Sequence, residues 1–198
     1  MPQTDFYDSH LMLNDILYFV LNIILSLLGI AFVLRAWLYA IRMHPFNPYS
    51  QAIFKITDWA VVPISRVVPN KRVLDWPSIT AAFIVAYLHV ILGFMLYVSV
   101  FVPSDLLLRA LLAAAITVGK WAANITLWIT LIQAILSWVN PAAPAMPFLQ
   151  TLTSPLLDPI RRMLPQTGAF DFSPLVLIIL AQIATFILQR VSFAVIGV

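Results

Sequence analysis

The sequence predicts an all-α integral membrane protein with four transmembrane helices in two parallel repeats. Each repeat reads as helix, Pro-bounded amphipathic cytoplasmic segment, helix. Three observations carry this. Of 198 residues, 62% are apolar and 10% charged, with mean hydropathy +0.97; a soluble domain is about one quarter charged. The apolar residues fall in four long blocks instead of alternating with polar ones. The two longest polar connections match each other at a fixed offset of 96 residues.

The first block, 16–34, holds no charge, and neither does the third, 121–139, which follows the largely apolar stretch 106–119. The second, 79–102, has His89 as its one ionisable group, and the last, 175–198, has Arg190. About 20 apolar residues carry a helix across the hydrocarbon core, so each block qualifies. The expected spans are 16–40, 79–102, 106–139 and 174–198, with interfacial segments at 45–77 and 141–173. The first repeat is then 1–103 and the second 104–198. The third span is overlong and predicts a tilted or protruding helix, whether or not it is continuous.

The leader before the first block carries Asp5, Asp8 and Asp15 and no basic residue. That is the reverse of a cleavable signal peptide. Twelve of the fourteen prolines lie in 45–77 or 141–174, which keeps a ring that removes a helix hydrogen bond out of the spans. The long connections hold Arg42, Lys55, Arg66, Lys71, Arg72, Arg161 and Arg162. The other side has Arg109, with Lys120 and Arg190 close enough to snorkel outward. The positive-inside rule therefore places both connections in the cytoplasm and both termini in the periplasm.

Aligning 44–77 with 140–173 gives eight identities in 34 positions, four of them prolines: Pro45/Pro141, Pro48/Pro144, Thr57/Thr153, Pro63/Pro159, Ile64/Ile160, Arg66/Arg162, Pro69/Pro165 and Asp75/Asp171. In each connection a polar line (Gln51, Lys55, Asp58; Gln150, Ser154, Asp158) faces an apolar side, which suits a helix lying on the membrane surface or packed under the bundle. Pro63 to Pro69 and Pro159 to Pro165 read as short turns, each opened by a proline at the first helical position and each aiming an arginine at the headgroups. Asp75-Trp-Pro-Ser and Asp171-Phe-Ser-Pro, the latter with Ser173 and Pro174, then supply a capping oxygen, an aromatic and a proline at the start of the next span.

These motifs resemble the YggT/YlmG family of small bacterial and plastid membrane proteins. The resemblance rests on Ser137-Trp-Val-Asn-Pro141, Leu152-Thr-Ser-Pro-Leu-Leu-Asp-Pro-Ile-Arg-Arg-Met-Leu-Pro165 and Asp171-Phe-Ser-Pro174. It covers nearly the whole chain as two family units, the first with a degenerate motif. It implies an inner-membrane or thylakoid protein with no established catalytic activity, in a family linked to osmotic stress, ion homeostasis, cell division and cytochrome assembly.

Chemistry is sparse. With no cysteine, five glycines and three histidines, the chain has no phosphate loop, metal cluster or nucleophile–base set. No catalytic residue, metal site or cofactor is expected, and a net charge of +3 does not point to nucleic acid. Three intramembrane polar residues stand out. His89 is a functional candidate by its depth, or a neutral imidazole bonded to Gln133 or Gln182; a bis-histidine haem would need the histidine of a second copy. Lys120 and Asn124, one turn apart, read as an anion contact, or as a snorkelling lysine with a neighbour. Ala115, Gly119 and Ala123 favour close helix approach. Arg66, Arg161 and Arg162 bind lipid phosphate or an acidic partner.

The expected function is a non-catalytic scaffold or assembly factor of the bacterial inner membrane. It would act through the cytoplasmic segments on anionic lipids and on another membrane protein or a second copy, with an effect on osmotic tolerance or ion homeostasis. The alternative is an oligomeric channel or transporter for ions or small solutes.

Overall fold

The computed structural model describes residues 3–44, 46–70, 74–98, 104–164 and 171–196. Among these residues there are six helices and no strand: α1 (Gln3–Ala40), α2 (Pro48–Ser65), α3 (Trp76–Val98), α4 (Ser104–Val139), α5 (Met146–Met163) and α6 (Ser173–Ile196). Four contain stretches long and apolar enough to cross a membrane: Asn14–Ala40, Trp76–Leu96, Leu107–Val139 and Ser173–Val195. The third span lies within one continuous helix of 36 residues, about 54 Å at helical rise.

The repeat is visible in the packing. α1 pairs with α3, and α4 with α6, as two helical hairpins; α4 then packs on both α1 and α3. The short α2 lies against α1 and α3, and α5 against α4 and α6 in the same way. Since α2 follows α1 and α5 follows α4, both short helices lie at the same end of the bundle. They meet across the repeat where the Tyr49 and Phe148 rings stand 5.0 Å apart.

The hairpins approach closely because the facing residues are small. Ala81, Ala82 and Ala86 on α3 and Ala114 on α4 are buried in one cluster with Phe32 and Trp121. Gly29 gives the room this arrangement needs, since a Cβ built there would overlap the edge of the Trp121 ring. The expected small-residue line on α4 is only partly used: Gly119 faces Leu188 of α6, which a Cβ there would crowd, but Ala115 is exposed. The buried line is Ala110, Ala113, Ala114 and Thr117 instead.

The helix ends follow local chemistry. Arg42 closes α1 with φ 53°, while the Met43 amide reaches back to the Leu38 carbonyl and the Arg42 amide to Tyr39. This is the left-handed cap that glycine normally supplies. Asn47 caps α2 by accepting from the Tyr49 amide at 3.0 Å, and Pro48 takes the first turn, where its missing N–H costs nothing.

The short proline turns expected at 63–69 and 159–165 are not separate elements. Pro63 lies inside α2, and Pro155 and Pro159 lie inside α5. A proline inside a helix frees the carbonyl four residues earlier. On α5 that loss is made good at the surface, because the Ser154 hydroxyl donates to the Thr151 carbonyl freed by Pro155. Pro69 is exposed beyond the end of α2; Pro45 and Pro165 lie outside the described residues.

The faces of α2 also differ from the expected amphipathic split. Ser50, Thr57 and Val61 are buried, whereas Ile56 and Trp59, on the side read as apolar, are 61% and 67% exposed. On α5 the buried set is Met146, Leu149, Leu152, Thr153 and Leu157, close to the apolar side read from the sequence.

Candidate polar anchor at the short-helix end

The main polar cluster is built by three helices of the first repeat. Arg35 stands in the last turns of α1. Its Nη1 donates to Asp58 Oδ1 at 2.6 Å, to the Thr57 hydroxyl at 2.8 Å and to the Phe54 carbonyl at 3.3 Å. The Phe54 ring lies under the guanidinium, 5.0 Å from its carbon to the ring centre. Asp75, at the start of α3, brings Oδ2 to 3.7 Å from Arg35 Nε. Its carboxylate also accepts from the Ser78 amide at 3.4 Å and the Ser78 hydroxyl at 2.5 Å. The Asp75 side chain is 4% exposed and that of Arg35 14%. One arginine therefore ties α1 to α2 and α3 at once.

The second repeat keeps the positions and changes the partners. Thr153, equivalent to Thr57, donates to Gln133 of α4 and to the Leu149 carbonyl. Asp171, equivalent to Asp75, accepts from the Ser173 amide at 2.9 Å and pairs with Arg161 Nε and Nη2, each at 2.9 Å. Arg161 Nη1 also reaches Asp158 at 3.3 Å. Burial alone pushes the Asp171 carboxyl up, but the hydrogen bonds from Ser173 and the Arg161 charge outweigh it and hold the group below its ordinary value.

Arg66 and Arg162 are exposed, with no ion pair among the described residues. The sequence-selected arginines are thus separated: Arg161 locks the α5–α6 junction, and the other two point outward. Pro63 and Pro159 are exposed on their helices; Ser173 is buried, and Pro174 follows it in the first turn of α6.

His89 lies among α1, α3 and α4. Its Nε2 is 2.8 Å from Asn22 Oδ1, and its ring meets Trp121 edge-on at 5.9 Å between centres. The expected partners Gln133 and Gln182 are not used. Gln133 is held by Thr153, and Gln182 sits on the exposed side of α6. His89 Nδ1 is buried without a partner, beside a cavity of about 10 Å³ lined by Tyr18, Asn22, His89 and Gly93 among others. That volume suits one water. Lys120 and Asn124 are half-buried on α4. The described residues contain no group of three or more His, Cys, Asp or Glu arranged to hold a metal.

Sequence reading passes over Arg35, which stands one residue beyond the uncharged block 16–34 and looks like any flanking charge. The available signal is its place just inside a helix end, ahead of the adjacent Thr57 and Asp58.

Comparison with known proteins agrees with the two-repeat architecture. The family model CCB3/YggT matches twice, over residues 14–96 and 112–192. The protein named YggT of Escherichia coli K12 is 33% identical over 168 residues, covering 84% of this chain and 86% of its own. A protein from the proC 3′ region of Vibrio alginolyticus is 32% identical over 173 residues, covering 86% and 91%. A Haemophilus influenzae protein is 33% identical over 154 residues, covering 77% and 80%. No solved structure matches. With both halves matched by one family model and each half folded as a hairpin with a short helix at the same end, the chain belongs to the CCB3/YggT family.

Proposed function

We propose that the protein is a non-catalytic scaffold or assembly factor of the bacterial inner membrane, with α2 and α5 on the cytoplasmic side as its working surface. One observation carries this reading. The short helices are fastened inward by polar side chains, Arg35 to Thr57 and Asp58, and Gln133 to Thr153, yet turn large apolar and basic groups outward. Trp59, Val67 and Met163 are 67%, 82% and 85% exposed, beside exposed Lys55, Arg66 and Arg162. Linking two spans needs only a short loop. A rigid platform of this kind suits contact with anionic headgroups and an acidic segment of another membrane protein. The basic residues at this end support the cytoplasmic placement through the positive-inside rule.

The test is purification of the tagged full chain, at native expression and in mild detergent, with quantitative mass spectrometry. A partner recovered near stoichiometry, and lost with Arg162→Gln while the chain stays in the membrane, is the expected result. Recovery of the chain with lipid alone would overturn the scaffold reading. Placement is checked with Asn70→Cys, an exposed site, which an impermeant maleimide should leave unlabelled in intact cells.

A further inference from the structure

Glutamine placement separates α6 from the rest of the bundle. Asn22 is spent on His89, and Gln133 on Thr153. Gln182 and Gln189 of α6 are instead exposed, with no hydrogen bond among the described residues. Gln182 lies about 14 Å along the helix from Ser173, close to the middle of the span. Hydrocarbon offers an amide neither donor nor acceptor, so a glutamine facing lipid at that depth is unfavourable until another polar group meets it.

The two amides belong to a regular stripe. Leu175, Ile179, Gln182, Phe186, Gln189 and Phe193 follow one another at spacings of 4, 3, 4, 3 and 4, and the four apolar members are 47–61% exposed. Steps alternating between 4 and 3 repeat every seven residues (175, 182, 189 and 179, 186, 193), the pattern of a left-handed helix pair with interlocking side chains. The opposite face of α6 is already occupied: Leu177 and Ala181 are buried, and Leu188 faces α4 at Gly119, where an added Cβ would crowd it. The outward face of α1 makes the contrast, with Ile16, Phe19, Val20, Ile23, Ile24 and Leu27 exposed and no amide among them.

We propose that α6 pairs with α6 of a second copy of this chain along this stripe. A primary amide is both donor and acceptor, so two glutamines related by a two-fold axis satisfy each other. Copies inserted in the same direction share an axis along the membrane normal, which sets the helices parallel and brings Gln182 to Gln182 and Gln189 to Gln189. A self-complementary amide pair, repeated one heptad apart, selects a second copy over a purely apolar neighbour.

The chain has no cysteine, which allows a direct test in native membranes. Single cysteines at Gln182, Phe186 and Gln189 should form disulfide-linked dimers under mild oxidation. Cysteines at Leu180 and Ile187, equally lipid-facing at 50% and 54% exposed but off the stripe, should do so at least several-fold less. Equal yields at all five positions, no dimer at the three stripe positions, or a cross-link from Gln182→Cys only to a different polypeptide would each overturn the proposal. Independently, the Gln182→Leu, Gln189→Leu double variant keeps the helix apolar and should raise the dimer dissociation constant in lipid about tenfold by single-molecule subunit counting; an unchanged constant would also overturn it.

Discussion

Arg35 Nη1 lies 2.6 Å from Asp58 Oδ1, across 23 residues of chain, and the same guanidinium faces Asp75, a carboxylate that is 4% exposed. The Asp58 side chain is half in solvent at 50%, so the two acids are not equivalent. Removing the arginine leaves Asp75 as a buried charge with Ser78 as its remaining partner. Arg35→Leu is expected to destabilise the chain by about 3 kcal/mol or more, read from denaturation in mixed micelles. Asp58→Asn should cost about 1 kcal/mol or less. Pairing Arg35→Leu with Asp75→Asn should recover a large part of the loss, because the orphaned charge is then gone.

Gly29→Ala drives a methyl group against the edge of the Trp121 ring, and the ring is buried in the core at 6% exposure. Overpacking of this kind costs about 1–3 kcal/mol. A lowered melting temperature and a shifted tryptophan emission are expected, with partial rescue by Trp121→Phe, whose smaller ring leaves room.

The Asn22–His89 pair should behave as a unit. Asn22→Leu strands His89 Nε2 in an apolar surrounding and is expected to cost about 1–3 kcal/mol. The double variant with His89→Leu should be closer to wild type than the single one. A double-mutant cycle on thermal stability in detergent gives the coupling directly.

Asp171 gives a pH dependence of known sign. Its carboxyl is held below the ordinary value, so its contribution is fully present above the unfolded-state value and is lost as pH falls through the folded one. Acidification through the carboxylate range should therefore loosen the α5–α6 junction, which stays intact at neutral pH. Arg161→Gln should move the Asp171 titration upward, observed by carbon NMR of the carboxyl, and Asp171→Asn should abolish the acid-dependent step in proteolysis of this junction.

Arg42 occupies a left-handed conformation at the end of α1. Arg42→Gly relieves that strain and should stabilise the chain by about 0.5–1 kcal/mol, a gain in melting temperature that the neighbouring substitution Met43→Gly should not give.

The sequence by itself determined the class, the four long apolar helices, the repeat and the positions of the two short helices. These follow from hydropathy, proline placement and an offset identity, all of which are properties of the chain read in one dimension. It did not determine which polar groups meet. Thr57 and Thr153 are identical at the repeat offset, yet one is held by Arg35 and the other by Gln133, whereas the same offset places Leu131 opposite Arg35. His89 was legible as an imidazole within a span, but its partner came from α1 and not from α4 or α6. The placement of Pro63 and Pro159 within helices was likewise hidden, because propensity disfavours it and only surface exposure of the freed carbonyls tolerates it. The physical reason is common to these cases. A polar pair forms over about 3 Å, while a turn of rotation or a 1.5 Å shift of one helix against another exchanges every partner on its face. Those rotations are set by how Gly29, Trp121 and the buried alanines pack, and packing exists only in three dimensions.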